Sequence, residues 1–302
     1  MGQVARDHHF VAQCYLAGFT DTGTKDGRLC VYDFKAERFF RQKPRNVAYE
    51  VDFNRVDVEG HPPDALETAF GQFEGRTASV IRRIVTEQDI PEDEEFSFVL
   101  NMIALLAVRN PAMRRSMTVS QRHVYRVIGD MLASDQNLYE SQFRQARANG
   151  FVRSDKDIPF EQMRDFLRRD EYTIEIPPET HLQRELSVFQ SILAKVCARN
   201  WSLMISAPDA PDFITCDHPV SLVYKQLVFP LDARHALMGD REQRAPRVLT
   251  LKAAGVAEVN SRLLKVADRQ IYSRTPQAAF FDGENAVTVP LDALNREPAG
   301  QR

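Results

Sequence analysis

The sequence contains none of the short motifs that identify the common enzyme classes. Its 302 residues hold no G-x-G-x-x-G loop, no Walker loop, no H-E-x-x-H helix and no G-x-S-x-G turn. These signatures of dinucleotide-binding, P-loop, zinc-protease and serine-hydrolase sites are therefore absent. Any activity must depend on a less familiar arrangement of side chains.

Cysteines and long apolar runs are also scarce. The four cysteines, Cys14, Cys30, Cys197 and Cys216, are widely spaced and form no C-x-x-C pair, so neither a zinc knuckle nor a redox motif is indicated. No run approaches the roughly 18 apolar residues of a membrane span, and the first residues carry no apolar signal-peptide core. We expect a cytoplasmic, reduced protein without a membrane partner.

The chain also lacks an excess of either charge. With 39 basic and 42 acidic residues, its net charge of −3 gives no global case for a nucleic-acid coat protein. The basic residues comprise only 8 lysines against 31 arginines. Guanidinium forks suit phosphates and carboxylates, although the codon bias of a GC-rich genome would produce the same ratio.

The order of the periodic segments predicts an α+β protein, with a small N-terminal β element, a central helical bundle and a C-terminal antiparallel or mixed β-sheet packed on the helices. We expect one domain over residues 1–294, with sub-parts 1–60, 61–200 and 201–294, followed by a tail at 295–302. Two strands are expected in "GRLCVYDFKAERFFRQ", and Asp282-Gly283 is expected to turn a hairpin. The predicted helices are 7–17, 64–86, 96–108, 112–133, 137–148, 159–169, 178–199 and 253–268.

The adjacent histidines His8 and His9 form the first candidate site. On a helix from Asp7 their side chains would diverge by about 100°, so both can hardly bind one metal ion. His8 shares the apolar face and is the better candidate for a metal ligand or a general base. The alternative is a core histidine that hydrogen-bonds a backbone carbonyl.

Glu67 and Glu74 form the second candidate, because their spacing places both carboxylates on one edge of the 64–86 helix. Paired carboxylates of this kind hold divalent cations in many hydrolases. Glu67 has an alternative role as the third residue of a capping box that begins at Asp64. Glu74 has no such local role, although a solvated glutamate would be unremarkable.

The third candidate is "FITCDHPVSL", in which Asp217 and His218 follow a predicted strand and Pro219 restricts the backbone. An Asx-type turn explains the same residues equally well. Arg109 ends the apolar 96–108 helix, where the helix dipole favours a cation.

Several segments, read in order, resemble a known family. They are "HHFVAQCYLAGF", "LETAFGQFEG", "RNP", "FITCDHPV", "FPL" and "VNSRLLKVADRQIYS". Over roughly residues 7–275 the chain resembles the bacterial domain of unknown function 4238, whose opening motif is H-H-[YF]-[VI]-P-x-x-Y-L. His8, His9, Tyr15 and Leu16 match that motif, whereas Ala12 replaces its proline. The resemblance adds Glu67, Glu74, Arg109, Asp217, Pro219 and Asn260 as motif positions.

Two functions are compatible with these residues. In the first, the protein is a metal-dependent phosphodiester hydrolase, nuclease-like, that acts on nucleic acid or a nucleotide, with Mg²⁺ or Mn²⁺ bound by His8, Glu67, Glu74 and Asp217. His8, Glu74 and Asp217 would be catalytic, while Arg109, Asn260 and His9 would bind the substrate. In the second, a non-catalytic binding or interaction protein uses the same side chains as a structural network, such as a Glu74–Arg109 ion pair.

Overall fold

The computed structural model describes residues 6–55, 62, 65–152, 157–223, 225–242 and 245–294. These residues confirm the α+β class. The helices are α1 (Gln13–Leu16), α2 (Ala65–Glu87), α3 (Phe96–Val108), α4 (Pro111–Ser134), α5 (Gln136–Ala148), α6 (Phe160–Arg169), α7 (Pro178–Cys197) and α8 (Ala253–Val266). The strands are β1 (Asp7–His9), β2 (Leu29–Asp33), β3 (Arg38–Gln42), β4 (Tyr49–Val51), β5 (Asn200–Ser206), β6 (Thr215–Cys216), β7 (Ser221–Val223), β8 (Gln226–Pro230), β9 (His235–Asp240), β10 (Val248–Leu251), β11 (Gln270–Ser273), β12 (Gln277–Phe281) and β13 (Ala286–Pro290).

The chain divides into two compact units, one of residues 1–111 and 181–302, the other of residues 112–180. The expected single domain over 1–294 stays a prediction. The expected tail at 295–302 lies outside the described residues, as does Asp64, the proposed capping residue of α2.

The predicted helix over 7–17 is wrong in its first half. Residues 7–9 form β1, which pairs antiparallel with β4 and places His8 opposite Glu50. This long-range pairing overrides the helical pattern, and α1 begins only at Gln13. Ala12 precedes it with φ −58° and ψ 133°. That is the backbone conformation a proline prefers, so alanine adopts it here without the constraint of the ring.

The described residues of the first unit contain two larger sheets, besides the two-stranded β1–β4 and β12–β13 pairs. The predicted β2–β3 hairpin is confirmed and extends to a four-stranded sheet in the order β3-β2-β11-β6. The second sheet has the order β10-β5-β9-β8-β7, in which β10 and β5 are parallel and the other pairs antiparallel. The β12–β13 hairpin is also confirmed, with Gly283 at φ 115° in its turn.

Helices α2 and α3 pack together beside the N-terminal segment. Their buried side chains join those of α1 and the second sheet in one hydrophobic cluster, in which Val11, Leu16, Ile84 and Ile103 are fully buried. This cluster fixes the positions of the N-terminal histidines, the exposed edge of α2 and the end of α3.

The second unit is helical. Asp135 caps α5 by accepting a hydrogen bond from the Leu138 amide, as expected of an aspartate at that position. Tyr139 of α5 contacts Phe143 and Phe160, and its hydroxyl donates to the Ile158 carbonyl at 2.7 Å. Within the described ranges of the whole chain, no single helix is long and apolar enough to cross a membrane, although α3 and α4 together meet the length and composition criteria.

Candidate functional site

A chain of hydrogen bonds joins the N-terminal histidines to α2 and to the end of α3. The backbone amide of Asn54 donates to His8 Nδ1 at 2.8 Å. The side-chain amide of Asn54 donates to Glu67 Oε2 at 2.6 Å, and its carbonyl oxygen accepts from Arg109 Nε at 3.2 Å. Arg109 Nη2 donates to the His9 carbonyl at 2.8 Å. We call these five residues the N-terminal polar cluster.

Arg109 occupies the C-cap of α3, where its amide donates to the Leu105 carbonyl. The residue is only 4% exposed. Its guanidinium carbon lies 4.1 Å from the centre of the Phe70 ring, which provides a cation–π contact. The negative end of the α3 dipole also favours this cation. The predicted position of Arg109 at the end of the buried helix is therefore confirmed.

The N-terminal polar cluster is arranged for hydrogen bonding more than for metal binding. Because His8 Nδ1 accepts a hydrogen bond, the neutral ring carries its proton on Nε2 and offers no free lone pair. Glu67 is engaged by the Asn54 amide. Among the described residues, no group of three or more His, Cys, Asp or Glu side chains is placed to hold a metal ion. These residues do not fit a divalent cation as arranged, and the expected Mg²⁺ or Mn²⁺ site stays a prediction.

Asp217, one of the four expected metal ligands, lies elsewhere. Its buried carboxylate accepts the backbone amides of Asp268, Arg269 and Gln270 at 2.6–2.9 Å. Burial raises the pKa of Asp217 to about 6, although these three donors lower it. These hydrogen bonds to Asp217 therefore stabilise the turn between α8 and β11.

Asn260, expected to bind substrate, is completely buried in α8. Its side-chain oxygen accepts from the Ile214 amide at 3.0 Å. Its nitrogen donates to the carbonyls of Asp212 and Ala279, also at 3.0 Å. The side-chain amide of Asn260 thus satisfies buried backbone groups of Asp212, Ile214 and Ala279, which is a structural role.

Glu74 differs from the other candidates, because its carboxylate has no hydrogen-bond or ion-pair partner among the residues that the structure describes. It lies two helical turns after Glu67 on α2 and is partly buried. Burial raises the pKa of Glu74 from its ordinary value of 4.5 to about 7. The charge of Glu67 raises it further, while Arg109 and Lys25 lower it. Such a carboxyl group can both accept and release a proton near neutral pH.

His9 lies at the edge of the same region. Its ring is 5.8 Å from that of Tyr49, and its Nδ1 lies 3.4 Å from the side-chain nitrogen of Gln13. Burial lowers the pKa of His9, while the Glu67 charge opposes that shift. The structure thus brings His8, His9, Glu67, Glu74 and Arg109 into one region.

A cavity of about 780 Å³ beside α2 was not anticipated from the sequence. Its walls come from the first helical turns, a threonine-rich loop, α2, the β8–β9 turn and the residue after β11. We call it the threonine-loop cavity. Its lining residues are Cys14, Tyr15, Ala17, Gly18, Thr20–Lys25, Ala78, Ile81, Arg82, Val85, Thr86, Leu231–Arg234 and Arg274.

The loop that lines this cavity has a spacing of glycine and lysine residues that is visible in the sequence. The loop reads "GFTDTGTKDG", with two glycines separated by four residues and a lysine two places after the second, in a chain with only 8 lysines. The spacing approaches that of a phosphate-binding loop, but Thr24 precedes Lys25 instead of following it, and a strand follows instead of a helix. The loop therefore does not match the phosphate-binding motif.

A second pocket, of about 330 Å³, lies between α2, α3 and the part of α7 that belongs to the same unit. Its walls are mostly apolar, with Phe70, Phe73, Leu105 and Phe189 among them, and it borders Arg109. The pocket offers few hydrogen-bonding groups, so it is a weaker candidate for polar chemistry than the region around Glu74.

Comparison with known proteins gives a family but no activity. The family model described as "Protein of unknown function (DUF4238)" matches residues 7–277. No curated protein and no solved structure matches the chain. The matched range contains all the candidate residues, from His8 to Asn260, and the threonine-loop cavity. The function must therefore be inferred from the geometry of these sites.

Proposed function

The chain belongs to the family described as protein of unknown function DUF4238, and we propose that it is a phosphodiester hydrolase acting on a nucleotide or nucleic acid, with Glu74 as the general base. One observation carries this proposal. Glu74 is an unpartnered, partly buried carboxyl group, among the described residues, whose pKa is raised to about 7. A general base with a pKa near the working pH combines adequate basicity with the correct protonation state.

The proposed step is attack of water on phosphorus. Glu74 accepts a proton from the water, whose oxygen forms a bond to phosphorus as the bond to the leaving oxygen breaks. The leaving oxygen takes a proton from solvent. Lys25 supports this chemistry, because its charge already acts on the Glu74 carboxylate and its exposed ammonium has no ion-pair partner among the described residues.

The N-terminal polar cluster acts on Glu74 through the charge of Arg109. Arg109 is held by Asn54 and by the His9 carbonyl, so its charge stays fixed beside α2. That charge keeps the pKa of Glu74 from rising further. Removing Arg109 would leave Glu74 protonated over more of the neutral range and so weaken the base.

The reducing cytoplasm is the compartment that we propose for this activity. All four cysteines of the chain lie in described residues and are free thiols. Nucleotides and nucleic acids, the proposed substrates, are abundant in the same compartment.

The direct test is turnover of bis(p-nitrophenyl) phosphate, a single-stranded oligonucleotide and a cyclic mononucleotide by the purified protein. Glu74→Gln should lower kcat by at least about 100-fold, the lower range for loss of a general base. Glu94→Gln is the matched control, because Glu94 is exposed ahead of α3 and lines neither pocket. Full turnover by Glu74→Gln would refute the assignment.

Metal removal separates this mechanism from the metal-dependent one. Activity that persists in excess EDTA agrees with a base that works without a cation. Activity that disappears in EDTA and returns with Mn²⁺ or Mg²⁺ would instead establish the metal site expected from the sequence.

The second candidate function is a non-catalytic binding or interaction protein. It is favoured by the hydrogen bonds of the N-terminal polar cluster and by the backbone contacts of Asp217 and Asn260, which explain most motif residues as structural. A protein of this kind would turn over none of the three substrates, and Glu74→Gln would leave its ligand binding unchanged.

A further inference from the structure

We propose that the threonine-loop cavity binds the phosphate group of a nucleoside phosphate. The proposal rests on the proposed function, since it identifies the substrate subsite beside Glu74.

The volume of about 780 Å³ lies within the range of sites that enclose small organic ligands. One wall is apolar and comes from α2, where Ala78, Ile81 and Val85 succeed one another at helical spacing. The threonine hydroxyls and Lys25 come from the loop, and the guanidinium of Arg82 comes from α2 itself. A ligand with a flat apolar part and an anionic part matches this lining.

The ionisable lining is predominantly cationic, although the whole chain has a net charge of −3. Lys25, Arg82, Arg234 and Arg274 face two carboxylates, those of Asp21 and Asp232. Arg234 and Arg274 are partly neutralised, because both form ion pairs with Asp212, which does not line the cavity.

Lys25 and Arg82 carry the unneutralised charge. Arg82 donates to the Ser79 hydroxyl at 3.0 Å, and neither cation has a carboxylate partner within the described parts of the chain. Both side chains are exposed, so an entering ligand can reach them. A phosphate group supplies the anionic oxygens that two such donors bind best.

The loop that carries Lys25 is held in one conformation. The buried Thr20 hydroxyl lies 2.8 Å from the Ala17 carbonyl, 3.0 Å from the Thr24 carbonyl and 3.1 Å from the Thr24 amide. The Thr22 and Thr24 hydroxyls are 2.9 Å apart. At Gly27 any Cβ atom would collide with the side chains of Thr20, Thr22 and Asp21. The backbone of the loop that carries Lys25 is therefore preorganised, which lowers the entropic cost of binding.

The cavity lies next to the proposed base. Cys14 lines it, and its thiol donates to the backbone carbonyl of Glu74 at 3.6 Å. Lys25 also lines the cavity, and its charge acts on both Cys14 and Glu74. The Glu74 side chain is not part of the cavity lining, but Lys25 would act on both the bound phosphate and the Glu74 carboxylate.

The test is isothermal titration calorimetry of the full chain with AMP, adenosine and a tetranucleotide with or without a 5′-phosphate. AMP should bind at least about tenfold more tightly than adenosine, since charge-assisted hydrogen bonds to the phosphate are worth at least that factor. Lys25→Glu and Arg82→Glu should each weaken AMP binding by about tenfold or more. Lys35→Glu is the matched control, because Lys35 is exposed in the β2–β3 turn and does not line the cavity.

The affinities for AMP, adenosine and the two tetranucleotides distinguish the possible results. Tighter binding of the 5′-phosphorylated tetranucleotide than of AMP, with loss in the same variants, supports the phosphate site and assigns it to a nucleic-acid end. Equal affinity for AMP and adenosine, or unchanged AMP affinity in the Lys25→Glu, Arg82→Glu double variant, overturns it. Glu74→Gln should keep AMP affinity while it loses turnover. If Glu74→Gln keeps turnover but the cation variants lose binding, the catalytic assignment fails and the phosphate site remains.

Discussion

Replacing Glu74 by glutamine should make the folded protein more stable at pH 8, although the same change removes the proposed base. The native pKa of about 7 exceeds the ordinary value of 4.5, so the native state favours the protonated, neutral carboxyl group. At pH values between these two pKa values, the native state binds more protons than the unfolded state. Its stability therefore falls as pH rises through this interval. Glutamine imitates the neutral carboxyl and does not titrate.

The magnitude follows from the difference between the two pKa values. Each pKa unit corresponds to 1.36 kcal/mol, so the ionised Glu74 costs about 3 kcal/mol at pH 8. Near pH 4.5 and below, the cost is absent. The stability difference between Glu74→Gln and wild type should therefore be close to zero at pH 4.5 and reach about 3 kcal/mol in favour of the variant at pH 8.

Urea denaturation at a series of pH values measures this difference. Trp201 is the only tryptophan of the chain and packs against Phe96, so its fluorescence reports on the unit that contains Glu74. Glu94→Gln should show no such pH dependence. A Glu74→Gln variant that is less stable than wild type at pH 8 would show that the carboxylate forms a favourable ion pair, and would refute the description of Glu74 as an unpartnered base.

Three further substitutions test the surrounding structure. Arg109→Lys should lower the free energy of unfolding by about 2–3 kcal/mol, because lysine cannot reproduce the planar contact with Phe70 or the fork of donors; wild-type stability in urea would contradict this. Asn260→Asp should lower the free energy of unfolding by about 3–5 kcal/mol, because a carboxylate would face two backbone carbonyls in the core. A melting temperature within a degree of wild type would argue against the assigned orientation of the Asn260 amide. Gly18→Ala should lower the free energy of unfolding by about 1–3 kcal/mol and weaken AMP binding, because its Cβ would lie 2.9 Å from the Cβ of Asp232 in the cavity wall. Unchanged affinity and stability would show that Asp232 moves aside without an energetic penalty.

Much of the fold could be predicted because its elements follow local patterns. The apolar spacing of α2, the uniformly apolar α3 and the β2–β3 hairpin each carry their own signal, and the structure confirms them. The segment 7–17 shows the limit of this reasoning. Its pattern suits a helix, but pairing with a strand more than 40 residues away makes residues 7–9 extended. No local pattern contains that contact.

The candidate site shows the same division. The polar candidates are visible in the amino-acid sequence, and helical geometry alone places Glu67 and Glu74 on one edge of α2 and Arg109 at the end of α3. The hydrogen-bond partners and burial of each residue follow from long-range packing. Hydrogen-bond satisfaction depends on which backbone groups arrive from distant segments, as at Asn54 for His8 and at Asp268 for Asp217. Burial without a partner raises the pKa of Glu74 for the same reason, since both desolvation and charge pairing depend on neighbours that only the folded chain assembles.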